Sequence, residues 1–330
     1  MPAEILKRNT FFATCFYLAT LLALWLPQAL LTTGAPAWDD AHAVAPSSEW
    51  ISGLLQPALS TWTAFALTFI TALLLSFLNY RHLFYPSDGY LLPLLYILTA
   101  AAIPSTQWFS GAHAAATGVI FGLNALFCSY QKTPGLSDLF TAAFCFSLSA
   151  ICFPPGLLLL MLLPAAAFFL RPAAWRDWVV MLIGAALPFA YFLLFSWLSL
   201  HDIAAATENI AALLPDFPVT IPDIDPPVLI LWSVLTGIIL LALVHGIPKQ
   251  SGTWTKTIYI RIIFTWMFIL LAAGFVLYPA YGYHLMPLCA LPVAAIATGY
   301  FARPRNKRLQ RLCWLLWLAA IVYVQWHILH

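Results

Sequence analysis

Eleven long apolar runs, separated by short polar connections, constrain the fold of this chain more than any other feature. The hydrocarbon core of a bilayer is about 30 Å thick, and roughly 20 apolar residues in a helix cross it. The chain of 330 residues is 63% hydrophobic and only 8% charged, whereas soluble domains are about half apolar. We therefore predict an all-α polytopic membrane protein, with residues 1–330 forming a single integral-membrane domain.

The runs predict about eleven transmembrane helices, of which the fifth and sixth are short. Pro154 and Pro155 separate these two runs, and neither proline favours a continuous helix. Residues 138–171 could therefore form two spans, or a kinked or re-entrant pair. The predicted spans are 10–32, 58–79, 89–106, 113–130, 138–153, 156–171, 178–200, 228–247, 258–279, 285–302 and 312–330.

The charged residues predict the orientation of the chain. If the N-terminus is inside, all 14 Lys and Arg residues lie in inner segments, and most of the 12 acidic residues lie in outer ones. Because cytoplasmic loops are rich in Lys and Arg, we predict that the N-terminus lies inside and the C-terminus outside. Lys7-Arg8 before the first run also resembles a signal peptide, but the run exceeds the usual 7–15 residues, which favours an uncleaved anchor.

The first outer loop, residues 33–57, concentrates ionisable groups. Asp39, Asp40, His42 and Glu49 lie in it without any Lys or Arg, and the apolar pairs of Trp50–Leu55 predict a short interfacial helix. An acid pair at the interface could accept the proton of an attacking hydroxyl or hold a divalent cation beside a phosphate. It could also be a solvated loop or the N-cap of the next helix.

The other outer connections supply further candidate residues for a substrate site. The connection between the third and fourth spans carries Trp108 and His113, and the connection before the tenth span carries Tyr283 and His284. Residues 201–227 form an acidic, proline-rich outer loop, in which we predict a short helix around 203–214. Carboxylates, imidazoles and aromatic rings at one membrane face would suit a polar substrate on a lipid carrier.

The interior of the spans is poor in ionisable residues, which argues against a proton-coupled pump or an ion channel. Asn124 is the one strongly polar side chain well inside a run, and we predict that it bonds to a neighbouring helix. No basic cluster with interleaved aromatic residues is present, so nucleic acid is not expected as a partner.

The layout resembles the GT-C class of membrane glycosyltransferases, which use polyprenyl-phosphate sugars. The likeness lies in the acidic motif of the first outer loop, the interfacial helix after it, and the segment from Tyr283 to Pro292 leading into a late helix. It implies a GT-C-like bundle in which Asp39 or Asp40 is the catalytic base. It also implies that Tyr283 and His284 lie near the donor phosphate, with His42, Trp108 and His113 as further substrate contacts.

The chain also resembles an uncharacterised multispan inner-membrane family of Bacteroidota. This likeness lies in Ser137–Phe140, Trp175–Trp178 and the segment from Leu291 to Phe301, and it implies no activity. Two alternatives to a glycosyltransferase therefore stay open. One is a non-catalytic scaffold or accessory subunit that binds an envelope protein, and the other is a transporter of a lipid or small molecule.

Overall fold

The apolar runs fold into helices throughout the described part of the chain, and no strand occurs there. The computed structural model describes residues 10–31, 57–85, 89–130, 135–170, 174–200, 207–208, 210–211, 213–214, 225–245, 254–302 and 306–329. The main α-helices are α1 Thr10–Leu31, α2 Pro57–His82, α3 Leu91–Ala100, α4 Gly111–Cys128, α5 Leu136–Cys152, α6 Leu162–Leu170, α7 Trp175–Leu200, α8 Pro226–His245, α9 Trp254–Leu277, α10 Met286–Ala302 and α11 Lys307–Leu329.

Eight helices of the described residues are long and apolar enough to cross a membrane, which supports an all-α, multi-pass membrane protein. They are α1, α2, α4, α7, α8, α9, α10 and α11. The apolar stretch that includes α10 begins at Tyr283. The three other predicted spans form shorter apolar helices. Helix α3, for example, has 10 residues, which correspond to about 15 Å, half the thickness of the hydrocarbon core.

The region 138–171 forms two helical segments that meet at a sharp turn. Helix α5 ends at Cys152, Phe153 is extended (φ −149°, ψ 106°), and a 3-10 helix over Pro154–Met161 continues into α6. Gly156 packs against the last turn of α5, because a Cβ placed on it would lie 3.2 Å from the Ala150 Cα. The two prolines therefore begin a new segment that folds back on α5.

Helix α10 lies at the centre of the bundle. It packs against α3, α4, α8 and α9. Of the apolar stretch that could span the membrane, 89% is buried in α10, compared with 22% in α7. Alanines at positions 290, 294, 295 and 297 give it a slender surface, which lets neighbouring helices approach closely. Helix α7 packs mainly against α5 and is peripheral.

At one end of the bundle, side-chain hydrogen bonds join neighbouring helices, and Asn124 takes part in them. The Asn124 Oδ1 lies 3.2 Å from the His82 Nε2 and accepts from Arg81 Nη1 at 3.4 Å. This confirms the predicted bond between Asn124 and a neighbouring helix. On the same side, Arg261 of α9 donates to the Ala242 carbonyl in the last turn of α8, where a cation is favourable.

Tyr85 ties the turn after α2 to the central helix at this end. The Asn79 side chain accepts from the Tyr85 backbone N–H at 2.8 Å and donates to its carbonyl at 3.2 Å. The Tyr85 hydroxyl donates to the Ala295 carbonyl of α10 at 2.5 Å. The described Lys and Arg residues all belong to helix termini of this end, which we call the basic end: Arg81, Arg176, Lys256, Arg261, Lys307, Arg308 and Arg311.

Candidate functional site

The connection between α3 and α4, residues 101–110, lies below the surface of the end opposite the basic end. Ile103 and Trp108 are extended and flank a 3-10 turn over Pro104–Gln107. Gln107 Nε2 donates at 3.2 Å to the carbonyl of Leu24, which is about 10 Å along α1 from the end of that helix. Irregular backbone at such depth is tolerated only where it is buried in protein or lines a cavity.

The Gln107 side chain is fixed in this connection by hydrogen bonds from its Nε2, while its Oε1 is not bonded by any described residue. Its Nε2 donates to the Leu24 carbonyl and, at 3.1 Å, to the Ala101 carbonyl, which also accepts from Gln325 of α11 at 3.2 Å. Its Oε1 is buried and has no hydrogen-bond partner among the described residues. A buried acceptor of this kind needs an explanation, since most such atoms in native proteins are bonded.

His113 lies in the first turn of α4 and is 1% exposed. Its Nδ1 is 3.2 Å from the Ser110 Oγ, while its Nε2 is buried without a partner in the described part of the chain. Gly111 allows this placement, because a Cβ at that position would lie 1.9 Å from the Cys152 carbonyl oxygen. The start of α4 therefore packs directly on the end of α5, with the imidazole enclosed.

His284 meets His113 from the other side. It belongs to a 3-10 turn over Tyr283–Leu285, which contacts the turn over Pro104–Gln107. The imidazoles of His113 and His284 are close enough for their charges to interact. The His284 Nδ1 is buried, and no described residue bonds to it. The structure thus brings together two of the predicted site residues.

Tyr283 has a different environment from its neighbour. Its hydroxyl accepts from the Asp225 backbone N–H and donates to the Asp225 carboxylate, both at 3.1 Å. Tyr278 nearby donates to the Leu213 carbonyl at 3.0 Å. The two tyrosines thus bond to Leu213 and Asp225 of the acidic loop. Residues 207–208 and 210–211 of this loop are helical. Asp225 was not singled out from the sequence as a partner of Tyr283.

The helices that flank the first outer loop both bond to the 101–110 connection. The Leu24 carbonyl of α1 accepts from Gln107, and the Ser60 Oγ of α2 accepts from the Phe109 backbone N–H at 3.1 Å. Trp108 between them is extended and half-buried. Asp39, Asp40 and His42 lie outside the described residues, as does the predicted interfacial helix.

Several polar atoms of this region were not predicted from the sequence. The Trp25 Nε1 and the Ser105 Oγ are also buried without a partner among the described residues. A signal for Ser105 was present, since Pro104-Ser105-Thr106 ends the predicted span 89–106. We use the name recessed site for the 101–110 connection together with His113 and the Tyr283–Leu285 turn that contacts it.

The described residues contain no group of three or more His, Cys, Asp or Glu side chains that could hold a metal ion. The recessed site supplies two imidazoles and an amide oxygen, which falls short of the usual ligand set of a transition metal. No family model, curated protein or solved structure matches the chain.

Proposed function

We propose that the chain is a membrane glycosyltransferase that moves a sugar from a polyprenyl-phosphate donor to an acceptor at the outer face of the bacterial inner membrane. One observation supports this proposal above the others. The helices on either side of the acidic first loop both bond to the connection that carries Gln107 and His113. The two described helices that the loop with Asp39 and Asp40 connects are thereby both held at the 101–110 connection.

In the proposed reaction, Asp39 or Asp40 accepts the proton of the acceptor hydroxyl. The hydroxyl oxygen then bonds to the anomeric carbon of the sugar, while the bond from that carbon to the phosphate oxygen breaks. The electron pair of the broken bond leaves with the polyprenyl phosphate. A divalent cation held by the two carboxylates would neutralise this leaving group, and the reaction is written without requiring one.

The orientation follows from the same proposal. The basic end, with its Lys and Arg residues, would face the cytoplasm, and the recessed site would open towards the outside, where polyprenyl-linked sugars are used. A C-terminal fusion to alkaline phosphatase, which folds only outside the cytoplasm, should be active. A fusion to green fluorescent protein at the same position should be dark. The opposite pair of results would contradict the orientation and remove the proposed reaction from that face.

The test of the activity is sugar transfer in membrane vesicles that contain the chain and a labelled polyprenyl-phosphate sugar pool. Asp39→Asn and Asp40→Asn should both reduce transfer. The variant that lacks the catalytic base should transfer sugar at least about a hundredfold more slowly than the wild type. Asp216→Asn, which removes one charge from the acidic loop, is the matched control and should retain transfer. Full transfer by both variants, at wild-type protein levels, would contradict the base assignment.

A second candidate function is a scaffold for an envelope protein, favoured by the two tyrosines that hold the acidic loop. The bonds from Tyr278 to Leu213 and from Tyr283 to Asp225 would fix the loop as a docking element. Deleting residues 215–224 should then break a co-purifying complex, whereas Asp39→Asn and Asp40→Asn should leave it intact. The transferase proposal predicts instead that Asp39→Asn and Asp40→Asn impair function more than the deletion of residues 215–224 does.

A further inference from the structure

The start of α11 carries three cations without a partner in the described part of the chain. Lys307, Arg308 and Arg311 are exposed, and no described residue forms a hydrogen bond or an ion pair with their charged groups. The Arg308 backbone N–H does bond to the Asn306 Oδ1, at 3.0 Å, in the first turn of the helix. We call Lys307, Arg308 and Arg311 the cation face.

Other arginines of the basic end have partners within the chain. Arg81 donates to the Asn124 Oδ1, and Arg261 donates to a carbonyl of α8. The Arg176 guanidinium lies over the ring of Trp175, 5.8 Å from its centroid. These contacts give each arginine a place in the stability of the bundle, whereas the cation face has no such contact among the described residues.

The cation face also lies where positive charge is unfavourable without a nearby anion. The N-terminus of a helix is the positive end of its dipole, and the first turn of α11 contains no acidic residue. Helices α1 and α8, which pack against α11, contain no Asp or Glu either. In α7, by contrast, Asp177 accompanies Arg176 in the first turn. A counter-anion for the cation face must therefore come from outside these helices.

The cation face shares one side of α11 with an apolar stripe. At 3.6 residues per turn, positions 307, 308 and 311 fall within about 100° of the helix circumference. Leu315 and Val322 fall within the same arc and are 68% and 64% exposed. Because α11 is long and apolar enough to cross a membrane, this stripe would meet lipid acyl chains. The cation face would then lie at the depth of the headgroups of the same leaflet.

The cation face belongs to a helix start that is fixed in the bundle. The Gln310 Nε2 donates at 2.8 Å to the Phe301 carbonyl in the last turn of α10. The Trp314 ring packs on Phe301 with centroids 4.8 Å apart. The start of α11 is thereby joined to the central helix. A ligand of the cation face would order only the three side chains, which limits the entropy cost of binding.

We propose that the cation face binds the phosphate of an anionic phospholipid, whose acyl chains lie along Leu315 and Val322. A lipid matches both the charged and the apolar part of this side of the helix. A soluble acidic peptide would pair with the cations but leave the apolar stripe uncovered. A zwitterionic lipid carries its own cation beside the phosphate and gains less from the three charges. The proposal does not depend on sugar transfer.

Two phospholipids with the same acyl chains test this assignment. Dioleoylphosphatidylglycerol has a net negative charge, whereas the choline group of dioleoylphosphatidylcholine neutralises the same phosphate. The full chain is purified in dodecyl maltoside micelles, and its thermal unfolding is followed while either lipid is titrated. A lipid that binds only the folded state raises the unfolding midpoint with concentration. We expect the midpoint to rise at a lower concentration of phosphatidylglycerol, and this difference should shrink in about 1 M salt, where the Debye length is about 3 Å.

Variants of the cation face locate the effect. Arg308→Gln and Arg311→Gln should each weaken the apparent affinity for phosphatidylglycerol about fivefold, the contribution expected of one cation near an anionic lipid. Neither should change the effect of phosphatidylcholine. Arg308→Lys keeps the charge and should stay within about twofold of the wild type. Glutamine is a good helix former and the lost charge is unfavourable at this helix end, so the variants should fold like the wild type.

Arg176→Gln is the matched control. Like Arg308, Arg176 is exposed and is the second residue of a spanning helix that begins at the basic end. It differs in having Trp175 and Asp177 beside it. Arg176→Gln should therefore leave the apparent affinity for phosphatidylglycerol unchanged.

Three results would overturn the inference. Equal titration curves for the two lipids would show that the lipid charge is not recognised. An equal loss in Arg176→Gln and Arg308→Gln would show that the lipid responds to the overall charge of the basic end. A saturable rise with soluble polyglutamate that exceeds the rise with phosphatidylglycerol, and that Arg308→Gln removes, would assign the cations to an acidic protein partner. None of these results bears on Asp39 or Asp40, so the proposed sugar transfer is tested separately.

Discussion

Two buried histidines lie at opposite ends of the bundle and differ in their partners. At the basic end, the His82 Nε2 bonds to Asn124, and its ring packs edge-on against Phe127 with centroids 5.5 Å apart. At the other end, the His113 Nε2 is buried without a partner in the described part of the chain. Both imidazoles are buried and each has one bonded ring nitrogen, but the His113 bond is made to Ser110 three residues away, whereas the His82 bond joins two helices. The basic end thus resembles a stability element, and the other end a binding site.

A similar contrast exists between the glutamines of the two ends. Tyr85 and Gln310 each donate to a carbonyl of the central helix, α10, at Ala295 and Phe301. Gln107, by comparison, uses its amide N–H groups to fix the connection and leaves its Oε1 unbonded by any described residue. Rigid placement combined with an unbonded atom is the arrangement that a preorganised ligand contact requires.

The largest expected effect comes from the glycine that brings α4 onto α5. In Gly111→Ala the new Cβ would lie 1.9 Å from the Cys152 carbonyl oxygen, so the two helix ends must separate. We expect a loss of about 3 kcal/mol in the free energy of unfolding, or failure to accumulate in the membrane. Unfolding in mixed micelles with increasing sodium dodecyl sulfate measures the change.

Gly237→Ala is the control for this comparison. Gly237 lies inside α8, and a Cβ there meets no atom within 4 Å among those described. Replacing a helical glycine by alanine should stabilise the chain by up to about 1 kcal/mol. If both variants behaved alike, the close approach of α4 to α5 would not be what positions His113.

The next effect tests the bonded histidine. Asn124→Leu keeps the size of the side chain but removes the acceptor of His82 and Arg81. A buried imidazole N–H would then lack its partner, and we expect a loss of about 2 kcal/mol in the free energy of unfolding. The same unfolding measurement applies. In the double variant Asn124→Leu with His82→Phe, much of this loss should be recovered, because the unbonded imidazole is gone. If stability is not recovered, the lost bond to His82 does not explain the destabilisation by Asn124→Leu.

The sequence was sufficient for the architecture because apolar length and composition carry that information directly. Seven of the predicted spans, such as 178–200 within α7, coincide with long helices, and the predicted span 285–302 matches α10. The prediction was less accurate where helices are short. The apolar character of 89–106 hides the end of α3 at Ala100, since buried irregular backbone and buried helix have the same composition.

The candidate site was predictable only in part. His113 and His284 were chosen because they are polar residues at span ends, and the structure places them together. Gln107 Oε1 and the partner of Tyr283 depend on contacts between segments far apart in the chain, such as the 58 residues that separate Asp225 and Tyr283. No local pattern encodes such pairs. Asp39 and Asp40 stay predictions.

A smaller effect is expected from the tyrosine that joins α2 to α10. Tyr85→Phe removes the bond to the Ala295 carbonyl and should cost about 1 kcal/mol. Burial raises the pKa of Tyr85 from 10.0 to about 12, an effect that the Arg261 guanidinium partly offsets. The folded state therefore holds the phenol proton more tightly than the unfolded state.

The sign of the pH dependence follows from this raised pKa. The contribution of Tyr85 is fully present below pH 10.0 and is lost as the pH rises towards about 12. Unfolding of the wild type and of Tyr85→Phe, compared at about pH 8 and in steps above pH 10, should show the wild type losing its advantage over this range. A constant difference between the two proteins would mean that Tyr85 does not ionise on unfolding.

The smallest expected change in stability is at His113, and it is the most informative. His113→Phe removes the Nε2 that no described residue bonds, together with the Nδ1 that bonds the Ser110 Oγ, so the free energy of unfolding should fall by no more than about 1 kcal/mol. The equivalent change at the bonded histidine, His82→Phe, should be destabilising by about 2 kcal/mol, because Asn124 then loses its partner. Residues that are retained for binding commonly cost stability, so a neutral or stabilising His113→Phe would favour a role of this nitrogen in binding over a role in stability. A loss as large as that of His82→Phe would instead show that the two histidines are both structural.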